Sequence, residues 1–117
     1  MNIADVLALF YSQLATTGTP AYLRATYRPD DVTGSHYVID FIQDLPSGPY
    51  VAYDHSIVEV QVTAWASSLS QALALDVAGE SVLMDSAVKM MTNVLNDLAS
   101  SATWYGVAST YQIARVK

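Results

Sequence analysis

The stretch Ile57-Val58-Glu59-Val60-Gln61-Val62-Thr63-Ala64-Trp65 decides the fold. Small apolar side chains occupy every second position, at Val58, Val60, Val62 and Ala64. A period of two residues is typical of a β-strand that packs one face on a core. The stretch therefore predicts the central strand of a sheet.

Upstream of this strand, the sequence predicts one helix and two further strands. Apolar residues at helical spacing follow Asn2, which is placed to cap a helix, and the pattern ends before Gly18. Alternation then predicts a strand over residues 21–27 and another over residues 36–43, the second antiparallel to the central strand. Prolines in the segment 44–49 have no backbone donor, so we expect a loop there.

Downstream, the sequence predicts a long helix and a final strand. Ser68 and Gln71 have the spacing of a capping box, which indicates a helix start. Apolar residues then recur at helical spacing, at Leu73, Val77, Met84, Val88, Met91, Leu95 and Leu98. A straight helix of about 30 residues would span roughly 45 Å, so we expect a bend or break near Gly79. Residues 104–116 return to a composition typical of strands.

This order of elements predicts an α+β fold, with residues 1–117 forming one domain. An antiparallel sheet of about four strands would be covered on one face by the N-terminal helix and the long helix, as in a two-layer sandwich. No repeat and no Gly- or Ser-rich linker divides the chain.

The composition predicts a surface with few charges. Only 14% of the 117 residues are charged and 52% are hydrophobic, so uncharged and aromatic side chains must form much of the surface, as at contact sites. The net charge of −6 disfavours binding to phosphate, and we expect no sequence-specific nucleic acid binding. Without cysteine, disulfides and thiolate metal sites are excluded. We expect a soluble cytoplasmic product that does not bind membranes.

The polar residues form no convincing catalytic or metal-binding constellation. Tyr53, Asp54 and His55 are adjacent, but neighbours on an extended chain point to opposite sides, which disfavours an acid–base cluster. His36 and His55 are the only histidines, too few for a typical structural metal site. We therefore expect no enzymatic activity, no cofactor and no bound metal.

Three consecutive features resemble one protein family. They are the segment Pro49-Tyr50-Val51, the alternating strand that ends at Trp65, and the helical stretch from Ser70 to Ala78. Together they resemble the tail-completion or tail-terminator proteins of long-tailed bacteriophages. The resemblance implies a homo-oligomeric ring, commonly a hexamer, that caps the tail tube and joins it to the head. It implies tail-tube and head-completion proteins as partners, and a place in the virion tail or neck after assembly in the host cytoplasm.

Two sets of residues are predicted to serve such a ring. Candidates for the subunit interface are the side chains of Tyr50, Tyr53, His55, Trp65, Trp104 and Tyr105. An acidic lumen would let DNA pass without adhering, because like charges repel. The candidates for the lining of this lumen are Asp30, Asp31, Asp40 and Asp44. The alternative interpretation is that these residues are ordinary solvated charges in loops.

Three alternatives stay open at this point. The chain is also compatible with another neck component, such as a head-completion adaptor or stopper. A small ligand-binding domain that acts alone is the second, and the third is an adaptor that binds a partner strand at an open sheet edge.

Overall fold

The computed structural model describes residues 2–28, 32–46, 55–84, 88–97 and 104–116. Within these ranges lie two α-helices and five strands, in the order α1 (Ile3–Ala15), β1 (Ala21–Leu23), β2 (His36–Pro46), β3 (His55–Ala66), α2 (Leu69–Leu83), β4 (Val88–Asp97) and β5 (Tyr105–Val116). The α+β class expected from the sequence is confirmed.

The strands form one mixed sheet in the order β1-β2-β3-β5-β4. β3 lies at its centre and runs antiparallel to both β2 and β5, as the strict alternation of its residues predicts. β1 is shorter than expected and pairs with β2 over Tyr37–Ile39. Because β1 and β2 start at the same end of the sheet, this pair is parallel, where an antiparallel sheet was expected.

Residues 88–97 form strand β4, where the sequence predicted that the long helix would continue. Their apolar residues fit a helical period, but Val88, Thr92 and Val94 are β-branched and favour strands. β4 pairs with β5 in an antiparallel ladder along its whole length. That ladder depends on the next strand along the chain, and the periodicity of residues 88–97 taken alone does not reveal it.

Helix α2 begins where it was predicted and passes through Gly79 without a break. The side chain of Ser68 caps its start by accepting a hydrogen bond from the backbone N–H of Gln71. A Cβ at Gly79 would lie 3.2 Å from side-chain atoms of both Leu14 and Tyr37. The glycine thus lets α2 approach α1 and the sheet closely, and the predicted break was wrong.

β2 is longer than predicted and reaches Pro46. The residues after a β-bulge between Phe41 and Gln43 continue the ladder with β3 as far as the pair Pro46↔Ser56. The segment expected to loop from Asp44 therefore extends the sheet first. A proline is tolerated there because β1 pairs with β2 only as far as Ile39, which leaves this part of β2 as an edge with no ladder on that side.

Both helices pack on the same face of the sheet. The apolar core comprises Val6, Phe10 and Leu14 of α1, Leu83 of α2, and Ala21, Tyr37, Ile39, Val58, Val60, Val62, Ala64, Tyr111 and Ile113 of the sheet. Burying one large apolar side chain stabilises a fold by about 1.5–3 kcal/mol, so this cluster is the main source of stability. The opposite side of the sheet, called here the open face because neither helix packs on it, presents the other residues of the alternating strands, of which Val38, Thr63 and Ala108 are nevertheless buried.

Candidate assembly surfaces

An aromatic cluster of Tyr22, Tyr27, His36 and Trp104 lies at one end of the open face. The imidazole of His36 is its centre, with ring centroids 5.8 Å from Tyr22, 5.4 Å from Tyr27 and 5.5 Å from Trp104. His36 is the first residue of β2, and its side chain is buried. Residues from four separate segments thus form one compact group.

Both ring nitrogens of His36 have partners. Nδ1 lies 2.8 Å from the carbonyl oxygen of Gly34, and because a carbonyl only accepts, Nδ1 carries the proton. Nε2 lies 2.9 Å from the hydroxyl of Tyr27 and accepts its hydrogen bond. Burial lowers the pKa of His36, so the neutral imidazole is favoured. With its Nε2 lone pair engaged, this histidine acts as part of the packing.

The lowered pKa of His36 predicts a loss of stability in mild acid. The unfolded chain binds the proton more readily than the folded one, so the stabilisation is present above the unfolded pKa of 6.5 and decreases as the pH falls toward the folded pKa. We expect the free energy of unfolding to fall more steeply between about pH 7 and 5 in the wild type than in His36→Gln. Urea denaturation at a series of pH values measures the free energy of unfolding of the wild type and of His36→Gln. An equal decrease of that free energy with falling pH in the two proteins would contradict the expectation.

Trp65 and Tyr105, two predicted interface residues, are half-buried within the chain itself. Trp65 stands opposite Gly106 of β5 and its indole covers that glycine: a Cβ added there would lie 2.6 Å from Cε3 of the indole. Tyr105 packs against a small cluster that contains Ala66 and Val107. Each of these rings therefore has only part of its surface free to contact another subunit.

Among the predicted lumen residues, Asp40 is held by an ion pair. Its carboxylate accepts hydrogen bonds from Arg24, at 2.7 Å from Nε and 3.0 Å from Nη2. The guanidinium carbon of Arg24 also lies 5.4 Å from the centroid of the Tyr27 ring. The pair has no net charge, so Asp40 adds little to an acidic surface. As a partly exposed pair it stabilises the fold by no more than about 1 kcal/mol.

The other predicted residues are placed only in part. Asp44 is half-buried in β2, and His55 is the first residue of β3, with its backbone opposite Val116. The remaining four lie outside the described residues: Asp30, Asp31, Tyr50 and Tyr53.

A buried carboxylate that the sequence did not single out lies between α2 and the sheet. The hydroxyl of Ser109 donates a hydrogen bond of 2.6 Å to Asp76. Burial raises the pKa of Asp76, and the hydrogen bond from Ser109 opposes that shift. Because both side chains are buried, the contact fixes how α2 sits on β5.

The outer face of α2 exposes large apolar side chains, contrary to the sequence prediction. Leu73 and Val77 were expected to be buried, but they are 42% and 63% exposed. Small or polar residues face the sheet instead, at Ala72, Asp76 and Gly79, followed by Leu83. The 4-3-4 spacing of those positions was the signal for the buried face.

No exposed position of α2 carries a charge. These positions are Leu69, Ser70, Gln71, Leu73, Ala74, Val77, Ala78 and Ser81. Leu69, Leu73 and Val77 follow one another at intervals of four residues and form a continuous ridge, called here the α2 ridge.

A second exposed apolar group lies near the end of β2. Phe41, Ile42 and Leu45 are all large and exposed. They lie on both sides of the sheet, because Phe41 stands opposite Val60 of the core face and Leu45 opposite Ile57 of the open face. Phe41 lies on the same face of β2 as the buried Tyr37 and Ile39. Its exposure follows from its place, because β1 pairs with β2 only as far as Ile39.

The described residues include one open groove of about 380 Å³ at the end of α1, lined partly by Tyr11, Pro20 and Tyr22. In the same ranges, no three His, Asp or Glu side chains are grouped as metal ligands would be. No helix that the structure describes is long and apolar enough to cross a membrane. Comparison with protein-family models and with curated proteins finds no match for this chain.

Proposed function

We propose that the chain is a structural subunit of a homo-oligomeric ring, a tail terminator or tail-completion protein at the head-proximal end of a phage tail. The observation that carries the proposal is the outer face of α2, where large apolar side chains are exposed and the neighbouring acidic residue, Glu80, is half-buried. The solvated face of a surface helix ordinarily carries charged and polar residues. A helix of this kind suits a protein whose neighbours cover it.

The position of the residues that resemble tail terminators also supports the proposal. The alternating strand that ends at Trp65 belongs to β3, and the helical stretch after it belongs to α2. Two of the three features on which the resemblance depends are thus contiguous with the exposed helix face, and the third, Pro49-Tyr50-Val51, lies outside the described residues.

The charge of the chain agrees with a passage for DNA. A net charge of −6 on each subunit would give a ring a strongly negative field, which repels phosphates. DNA would pass such a lumen without adhering to it.

The proposal is tested by measuring assembly with and without tail tubes. We expect light scattering to give a defined oligomeric mass, alone or after addition of purified tail tubes, and negative-stain images to show rings at one end of each tube. A protein that stays monomeric over a wide concentration range and does not bind to tail tubes would contradict the proposal.

A further inference from the structure

The carboxyl group of Asp76 lies beneath α2, away from solvent. Its side chain is 6% exposed, and it accepts a hydrogen bond of 2.6 Å from the hydroxyl of Ser109 on β5. One hydroxyl donor replaces only part of the water that an ionised carboxylate loses on burial. The fold therefore favours the neutral, protonated form of this side chain unless a cation lies beside it.

The titratable groups around Asp76 supply no positive charge. α2 packs on α1, β3 and β5, and the buried core residues of α1 and β3 are apolar. The groups near the carboxyl are the phenols of Tyr37 and Tyr111 and the half-buried Glu80, one turn further along α2. Burial raises the pKa of both phenols, so they stay neutral.

The Lys and Arg residues whose side chains the structure describes are Arg24 and Arg28, and both lie elsewhere. Arg24 pairs with Asp40, and Arg28 donates a hydrogen bond to the carbonyl oxygen of Tyr27. Ionised Asp76 would thus be a buried charge with no described partner of opposite sign. Such a charge costs far more free energy than the same charge in water.

α2 also has few large side chains to hold it on the sheet. Its buried residues are Ala72, Asp76, Gly79 and Leu83. Only the last of these is large and apolar, whereas α1 buries three such side chains completely, those of Val6, Phe10 and Leu14. Hydrophobic stabilisation grows with the apolar area that is buried, so α2 is held less firmly than α1. A buried charge beneath α2 therefore weighs heavily against the contacts that hold this helix.

We propose that ionisation of Asp76 loosens α2, so that the helix is held tightly on the sheet in mild acid and opens transiently near neutral pH. Local opening of this kind is ordinary for the least firmly packed element of a domain. The device belongs to the single domain and operates whatever assembly the chain forms. The α2 ridge lies on the same helix, so its freedom to move would depend on pH as well.

The direction of the pH dependence follows from the pKa of Asp76. Burial raises this pKa, and the hydrogen bond from Ser109 opposes the change. The folded chain therefore binds the proton more readily than the unfolded chain. The resulting stabilisation is complete below the unfolded pKa of 3.8 and is lost as the pH rises through the folded pKa. This dependence is opposite in sign to that of His36.

The absence of cysteine makes a direct test possible. Ala72→Cys places a thiol on the buried face of α2, and Val6→Cys places the matched control on the buried face of α1, since both side chains are 0% exposed. Each is labelled with a dipyridyl disulfide, and its rate is divided by that of an unfolded peptide at the same pH. Near pH 8 we expect Ala72→Cys to react about tenfold faster than Val6→Cys, because α2 opens without α1.

Asp76→Asn removes the charge and keeps an oxygen that accepts the hydrogen bond from Ser109. In this background we expect the normalised rate of Ala72→Cys near pH 8 to fall about tenfold, and its rise between about pH 5 and 8 to disappear. If Asp76 acted only through its hydrogen bond, the rate would not depend on pH in either background. That result would contradict the proposal.

Two further results would overturn the proposal. Equal rates for the two thiols near pH 8 would mean that α2 opens only when the whole domain unfolds. An unchanged rate for Ala72→Cys in the Asp76→Asn background would mean that the charge does not control the opening. Hydrogen exchange in the cysteine-free chain repeats the test without an added thiol: the amides of α2 should exchange faster than those of α1 near pH 8, and Asp76→Asn should slow them. Equal protection of α2 in the wild type and in Asp76→Asn would again refute the proposal.

Discussion

Replacing Gly106 with alanine is expected to lower the free energy of unfolding by about 3 kcal/mol, the upper end of what overpacking usually costs. Gly106 of β5 stands opposite Trp65 of β3, and the indole lies over the glycine. A Cβ at this position would come within 2.6 Å of indole atoms, well inside van der Waals contact. Because the indole of Trp65 is rigid and stands on the central strand, the added methyl group would force it to rotate away or would push β3 and β5 apart.

A double-mutant cycle assigns this loss to the contact with Trp65. In a Trp65→Ala background the added methyl group meets no indole, so Gly106→Ala should be neutral or should stabilise by about 0.5–1 kcal/mol, since alanine suits a strand better than glycine. Gly34→Ala is the matched control, because a Cβ there meets nothing within 4 Å. Urea denaturation measures all of these variants. Equal losses for Gly106→Ala in both backgrounds would refute the explanation.

The sequence correctly predicts those elements whose pattern is visible within the segment itself. β3 alternates between a core face and an open face, and its period of two is visible without any knowledge of its neighbours. The helix starts at Asn2 and Ser68 are equally local, because a capping side chain bonds to a backbone group three residues away. These features fixed the α+β class and the central place of β3.

The second half of the predicted long helix could not be identified in this way. Residues 88–97 contain apolar positions that fit a helical period and β-branched positions that fit a strand. Their ladder with β5, the next strand along the chain, supplies the backbone hydrogen bonds and decides the outcome, and the pattern of residues 88–97 taken alone does not reveal that partner. A propensity of a few tenths of a kcal/mol per residue does not resolve such a choice.

The candidate surfaces could likewise be predicted only in part from residue type. The aromatic candidates Trp65, Trp104 and Tyr105 were chosen by residue type, and the fold covers part of each. The α2 ridge was assigned to the core because Leu73 and Val77 are large and apolar. Burial instead follows the small residues that let α2 approach the sheet, and only the position of α2 relative to Gly79 and its neighbours reveals this.

Replacing Phe10 with alanine is expected to lower the free energy of unfolding by about 3–5 kcal/mol, which is a large share of the 5–15 kcal/mol of a typical domain. Phe10 is fully buried on the inner face of α1, and its ring packs edge-on against Tyr111, with centroids 6.0 Å apart. Alanine would remove that contact and leave a cavity between the helix and the sheet. The decrease in the free energy of unfolding therefore measures how much the packing of α1 on the sheet stabilises the fold.

The neighbouring residue on the same helix is the control for the Phe10 substitution. Tyr11 is 47% exposed, so Tyr11→Ala removes an aromatic ring of similar size at the next position and should cost less than about 1 kcal/mol. Both variants are compared by urea denaturation at one protein concentration, because assembly would raise the apparent stability. Similar losses for the two substitutions would mean that α1 does not pack on the sheet through Phe10. A loss confined to Phe10→Ala would show that α1 is bound through its inner face, which leaves its outer face, like that of α2, free to meet a neighbour.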